Sequence, residues 1–175
     1  MTTRRLTTTA EPVTAAEVKT LIPLDGTDHD TRIGVLITAL RQQAEQITGR
    51  ALATGNFART LDAFPADAGA IELHFGPVSA IVSVSYVDTA GFTQTLSGTQ
   101  LDSASLPARL LPAYGSEWPA TRAVPNAVTV TYTAGYGASA PKEVQHWIAA
   151  RIRADIDGCA VPDYMDGLLD SLKVY

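Results

Sequence analysis

The side chains able to do acid–base, nucleophilic or metal chemistry are few and scattered. The three histidines, His29, His74 and His146, lie far apart and none has a partner at metal-ligand spacing. His29 between Asp28 and Asp30 could be drawn as a metal corner. The same aspartates stand where a helix N-terminus wants a cap, and capping by Asp28 or Asp30 is the stronger expectation. His146, beside Gln145, should be exposed on the polar side of its helix. His74 alternates with Leu73 and Phe75 and should point to solvent. Cys159 is the only cysteine, which excludes an internal disulfide and a cysteine zinc site. It follows a helix-ending glycine, no histidine is near it in sequence, and it reads as a small buried or half-buried residue. There is no Gly-x-Ser-x-Gly elbow and no phosphate loop. Gly135-Tyr136-Gly137 precedes a helix but lacks the third glycine and a Lys-Ser/Thr pair, so it reads as a tight strand-to-helix connection. Eighteen acidic residues allow many carboxylate pairs for glycoside chemistry, and nothing singles one out. Tyr114 and Trp118, in a Pro-rich loop, could stack on a sugar or a base; pinning the loop against a sheet is the better expectation for such aromatics. No catalytic residue, metal site or cofactor follows from these residues.

Composition narrows the classes further. The chain has 175 residues, 46% hydrophobic and 18% charged, with a formal net charge of −5. At this length it needs no disulfide staple. It is less charged than an ordinary soluble domain at about 25%, which fits a surface partly covered by other subunits. The acidic balance and scattered Lys and Arg argue against a phosphate-gripping surface. Five Asp and no basic residue lie between Asp155 and Asp170. Singly they read as a solvated face; as a cluster they would repel DNA or meet a basic partner. No apolar run is long enough to span a bilayer. Met1-Thr2-Thr3-Arg4-Arg5 leads into a Thr-rich stretch, so neither a secretory nor a twin-arginine signal is expected, and the chain should stay in the cytosol or in something assembled there.

The elements that must position these residues come in a telling order. Residues 1–13 read as an extended arm. Thr14-Ala15-Ala16-Glu17 is a capping box opening a short helix with Val18, Leu21 and Ile22 on one face. A second helix carries Ile33, Leu36, Ile37, Leu40, Ala44 and Ile47 as an apolar stripe, with Arg41, Gln42, Glu45 and Gln46 opposite and Gly49 as its terminal cap. The period then changes to two. Phe57–Ala63 and Ile71–Phe75 alternate, Ile81–Val87 reads as a well-buried strand, and Asp88–Gly91 turns into a return strand to Leu96. A long irregular stretch with four prolines runs to Val128, followed by the alternating strand Val128–Thr133. Pro141 suits the first position of a helix bearing Val144, Trp147, Ile148, Ile152 and Ile156, and Gly158 ends it. Tyr164, Leu168, Leu169 and Leu172 share one helical face of the last segment, before Val174 and Tyr175. Large apolar residues at a chain end need a docking surface. Helices separated in sequence by a β-rich block must pack on each other to bury their stripes. The expected fold is therefore α+β: a single domain with an arm (1–13), a small helical bundle base (14–55 and 134–158), an inserted antiparallel β-rich module (56–133) and a C-terminal arm (159–175).

In that order and spacing the segments resemble the head–tail connector, or adaptor, proteins of long-tailed bacteriophages and phage-like gene transfer agents. The matching pieces are Val13–Lys19, Ile47–Leu52, Val84–Asp88 with Gly91–Leu96, Pro107–Leu110 through Tyr114–Pro119, and Val128–Gly137 with the Pro141 helix. They spread along nearly the whole chain, and it is their combination that is specific.

The resemblance implies a non-enzymatic virion protein of the neck, assembled in the host cytoplasm. Such proteins form a ring, often of twelve copies, beneath the portal, and receive a stopper or tail-completion protein on the other side. Genomic double-stranded DNA passes through the lumen without sequence-specific binding, and no membrane or cofactor is involved. The chain departs from the family pattern in its C-terminal portion, where Ala160-Val161-Pro162-Asp163 follows an early helix end. The expected portal or inter-subunit contacts are Leu168, Leu169, Leu172, Val174 and Tyr175 in the arm, with Arg109, Tyr114 and Trp118 in the loop. Alternatives are a stopper or tail terminator of the same neck or, in a different class, a cytosolic enzyme or glycan-binding module using the β-rich block, with Asp28, His29 or Trp118 in a pocket.

Overall fold

The first helix starts where its capping box places it. In a computed structural model that describes residues 2–174, Thr14 Oγ1 accepts the Glu17 amide at 3.2 Å, and the Glu17 carboxylate accepts the Thr14 amide at 2.8 Å. Helix α1 (Ala15–Leu21) buries Val18, and Ile22 just beyond it. Leu21, expected on the same face, is exposed, because so short a helix buries only one narrow strip. Helix α2 (Asp30–Thr48) departs from expectation at its start. Its cap position is His29, whose side chain makes no capping bond, and neither Asp28 nor Asp30 caps it. The Thr27 carbonyl accepts the Asp30 amide at 3.1 Å instead, and Asp30 pairs with Lys19. At the other end Gly49 adopts φ 70°, with its amide on the Glu45 carbonyl at 2.9 Å. Helix α3 (Lys142–Asp157) follows Pro141, which stands one position before the first helical residue.

The chain divides into two compact units. One comprises Thr9–Thr54 and the chain from Tyr136 onward; the other comprises the N-terminal arm to Thr8 and Gly55–Gly135. The helical unit buries Ile33, Ile37 and Ala44 of α2 against Val144, Trp147, Ile148 and Ile152 of α3, with Val13, Val18 and Leu52. Leu36, Leu40 and Ile156 pack at the edge of this core, whereas Ile47 is exposed. Each fully buried Leu or Ile contributes roughly 1.5–3 kcal/mol of transfer free energy, so the two stripes hold each other. The last segment, Asp163–Leu172, is a 3-10 helix. With about three residues per turn, Leu169 and Leu172 align, Leu168 packs half-buried beside them and Tyr164 is left exposed, unlike the four-residue face expected for an α-helix.

The β unit holds two antiparallel sheets. The larger has the order β1-β2-β8-β4-β5, built from β1 (Thr2–Arg5), β2 (Gly55–Leu61), β4 (Val78–Val87), β5 (Thr93–Leu96) and β8 (Val128–Ala134). The smaller is β3-β7-β6, from β3 (Ile71–Leu73), β6 (Gln100–Asp102) and β7 (Ala108–Leu111). Register places Phe57 opposite Tyr132, Arg59 opposite Val130 and Leu61 opposite Val128 on one face of the large sheet. Phe75, just past β3, stacks on Phe57 at 5.7 Å, and the buried Tyr132 hydroxyl donates to the His74 carbonyl at 2.6 Å. Burial pushes the Tyr132 phenol well up from its ordinary value. Two expectations fail here. The stretch 97–127 is not wholly irregular: it supplies β6 and β7, too short to show a period. Ile81–Val87 is not well buried. Only Val84 is, because β4 alternates between a covered and an open face and carries irregularities between Val78 and Ala80 and between Ile81 and Ser83.

Candidate assembly interface

The C-terminal arm is fastened to its own unit by three kinds of contact. Leu169 is 0% exposed and belongs to the helical core, with Leu168 and Leu172 packed against that core. Arg50 donates to the Leu172 carbonyl at 2.7 Å and to the Tyr136 hydroxyl at 3.0 Å, and the Val174 amide bonds to the Thr48 carbonyl at 2.9 Å. Arg151, whose guanidinium lies 4.1 Å over the Trp147 ring, pairs with Asp166. Of the arm residues singled out in the sequence, Leu169 is thus taken up within its own subunit. Val174 is 39% exposed, and Tyr175 lies outside the described residues. Tyr164, on the same segment, is 70% exposed and is the larger free apolar surface.

The acidic run around the arm is largely neutralised within the subunit. Asp155 pairs with Arg32, Asp157 with Arg153, Asp166 with Arg151 and Asp170 with Lys173. Such exposed pairs add little stability, but they reduce the field the cluster would present to DNA. Cys159, expected buried or half-buried, is exposed, because the chain leaves α3 at Gly158 (φ 65°).

In the β unit the loop residues separate into two roles. Trp118 is half-buried, stacks on Phe64 at 4.8 Å, and donates its indole N–H to the Gly69 carbonyl at 2.7 Å. Its ring pins the loop, which removes one face as a stacking platform. Tyr114 is 96% exposed. Arg109 is exposed on β7, opposite Glu72 and Asp102 in register. Asp102 is held below its usual range by hydrogen bonds from Ser105, with a smaller contribution from Arg109.

A residue group missed in the sequence lies inside the helical unit. Arg41, expected on the polar side of α2, is only 4% exposed. Its guanidinium donates to Glu11 at 3.1 Å and to Glu45 at 2.9 Å. Burial opposes the charge, but the bonds to Glu45 and Glu11 outweigh it, and the net shift of the guanidinium is upward. The other Glu45 oxygen accepts the Leu52 and Ala53 amides at 2.8 and 3.1 Å. This network ties the arm, α2 and the exit from α2 together. Its sequence trace was the spacing Ile37-Arg41-Ala44, which puts Arg41 on the buried seam.

The open cleft of about 520 Å³ along β4 and β5 is lined by Ile81–Val84, Thr95–Thr99 and Leu101, with no titratable side chain. His74 and His146 are exposed, and His29 stands at its helix start. Among the described residues no group of three or more His, Cys, Asp or Glu could hold a metal ion. No helix among them is long and apolar enough to cross a membrane.

No protein-family model matches the sequence, and none of the curated proteins does. Solved structures do match. A chain in the neck of an empty gene transfer agent particle, computed with C6 symmetry, aligns with a TM-score of 0.78 at 20% identity, covering 100% of this chain and 96% of that one. A chain in the virion of a native gene transfer agent particle gives 0.77 at 21% identity, and one in a native neck computed with C12 symmetry gives 0.72 at 23%, with the same coverage. This protein therefore has the fold of a gene transfer agent neck component over its full length.

Proposed function

We propose that this protein is a virion neck component of a phage-like particle, a ring-forming head–tail adaptor that joins the portal to the tail-side assembly. The observation that carries this is the full-length likeness to chains in particle necks solved with six-fold and twelve-fold symmetry. The absence of a convergent chemical site among the described residues is compatible with a mechanical role. In this role twelve copies close a ring by head-to-tail contacts. The ring grips the portal, receives a stopper or tail-completion protein and continues the conduit for double-stranded DNA without reading its sequence. The scattered basic residues and net charge of −5 suit passage rather than retention, since each neutralised phosphate would add affinity. It catalyses no reaction and takes no cofactor.

The exposed residues of the arm and the loop are the proposed contacts: Tyr164, Val174 and the flanks of Leu168 and Leu172 toward the portal, and Tyr114 and Arg109 toward a neighbour. Leu169 and Trp118 act through packing instead. Deleting the whole arm would confound binding with folding, because Leu169 leaves the core with it. The test is the native mass of the protein alone and with purified portal, for the wild type and for Tyr164→Ser with Val174→Ser. A ring that binds portal, lost in the double variant while the fold persists, is expected. A compact monomer that ignores portal and is missing from purified particles would refute the proposal. Binding to tail tube before portal would make the protein a stopper or terminator.

A further inference from the structure

The outer face of the five-stranded sheet has an unusual chemistry for a solvent-facing surface. Strand register lines up Thr129, Thr131 and Thr133 of β8 with Ser85, Ser83 and Thr60 on the strands to either side. The pattern continues onto the edge strand β5, where Thr95 stands opposite Ser85. In a chain with thirteen basic and eighteen acidic residues, Arg4 on β1 is the one charged side chain among the positions of this face. Sheets that must stay apart in water normally carry Lys or Glu on such a face.

We propose that this hydroxyl-rich face is the contact surface for a second copy of this chain within the ring, a step that rests on the ring-forming role above. Three physical points favour a protein neighbour over DNA or solvent. A single arginine is too little to hold phosphates. Some of the hydroxyls are engaged along the face itself: Thr133 Oγ1 donates to Asn56 Oδ1 at 2.9 Å and Thr60 Oγ1 to the Thr2 carbonyl at 3.4 Å, with Ser79 Oγ beside them on the Thr133 carbonyl at 3.3 Å. Groups already bonded lose less when water is removed. Threonine and serine also have little rotamer freedom to lose on contact. Five strands of four to ten residues, about 4.8 Å apart, give a patch on the order of 500 Å². That is more than half of the roughly 800 Å² per partner in a standard interface. In a cyclic ring the surface it meets on the next copy is a different one.

The test combines charge insertion with cross-linking on the full chain. Thr131→Glu at the centre of the face and Thr95→Glu on its exposed edge strand should each lower the assembled fraction at least ten-fold, at concentrations where the wild type is fully assembled. Their melting temperatures as monomers should match the wild type, and Gln46→Glu, on the exposed side of α2, should assemble normally. The Thr95 variant keeps the test open should Thr131→Glu fail to fold. A photo-reactive benzoylphenylalanine at position 95 should capture a second copy of this chain. Rings left intact by both Glu variants, or capture of DNA or of another protein instead, would overturn this contact while leaving the ring standing. A protein that stays monomeric with portal present would overturn the ring and this contact together.

Discussion

Replacing Leu169 with alanine tests whether the C-terminal arm belongs to the core of its own subunit. Leu169 is fully buried among side chains of α2 and α3, although it lies six residues before Tyr175. Truncation removes the transfer free energy of the lost atoms and leaves a cavity; together these cost about 2–5 kcal/mol at sites of this kind. The 3-10 helix around it has few other buried side chains to hold the surrounding walls in place, so partial collapse should put the loss near 3 kcal/mol. For a unit of fewer than a hundred residues that corresponds to a fall in melting temperature of roughly 12–24 °C. Urea denaturation followed by circular dichroism gives the free energy, and a thermal scan gives the shift. Leu169→Met, which nearly conserves volume, should cost under about 1.5 kcal/mol, and Tyr164→Ala, on the exposed side of the same segment, within about 0.5 kcal/mol. Equal and small losses for Leu169→Ala and Tyr164→Ala would refute the docked arm.

Further outcomes follow from single residues. Gly137→Ala should destabilise by about 1–3 kcal/mol in urea titration, because Gly137 has φ 54° and an added Cβ would lie 2.4 Å from Thr54 Oγ1. Arg41→Met should cost about 2–4 kcal/mol, since it leaves the Glu11 and Glu45 carboxylates without their shared cation; a neutral result by the same titration would show that the network is dispensable. Cys159 should react with a thiol reagent in the native protein at the rate of an exposed thiol, and a lag relieved by denaturant would contradict its exposure. Glu17, Asp88 and Asp102 are all held below their ordinary values of 4.5, 3.8 and 3.8, chiefly by hydrogen bonds from Thr14, Gln94 and Ser105 respectively. Depressed carboxylates stabilise above their unfolded pKa and lose that contribution as pH falls through the folded value. Stability should therefore decline below about pH 4.5, and Glu17→Gln should flatten the upper part of that decline in an acid titration.

Much of the helical architecture was legible because its signals are local. The Thr14–Glu17 box, the glycines at 49 and 158, and the buried stripe of α3 each record a requirement set within a few residues: an amide to be capped, a positive φ, a period near 3.6. Strand β8 was legible for the same reason, its threonines and apolar residues alternating as the register requires. Strands β6 and β7 were not, because three or four residues cannot display a period and their pairing partners lie elsewhere in the chain.

The local pattern by itself determined that the chain is α+β and where helices α1, α2 and α3 run. Tertiary structure decided which apolar and charged groups are used up internally. Leu169 looked available as a contact, yet it fills the core; Trp118, read both as a loop pin and as a contact, pins its loop by stacking on Phe64. Arg41 looked solvated, yet it is enclosed between two glutamates from segments 30 and 4 residues away. Hydrophobicity says that a side chain needs cover; only the packing of distant segments says whether the same chain provides it.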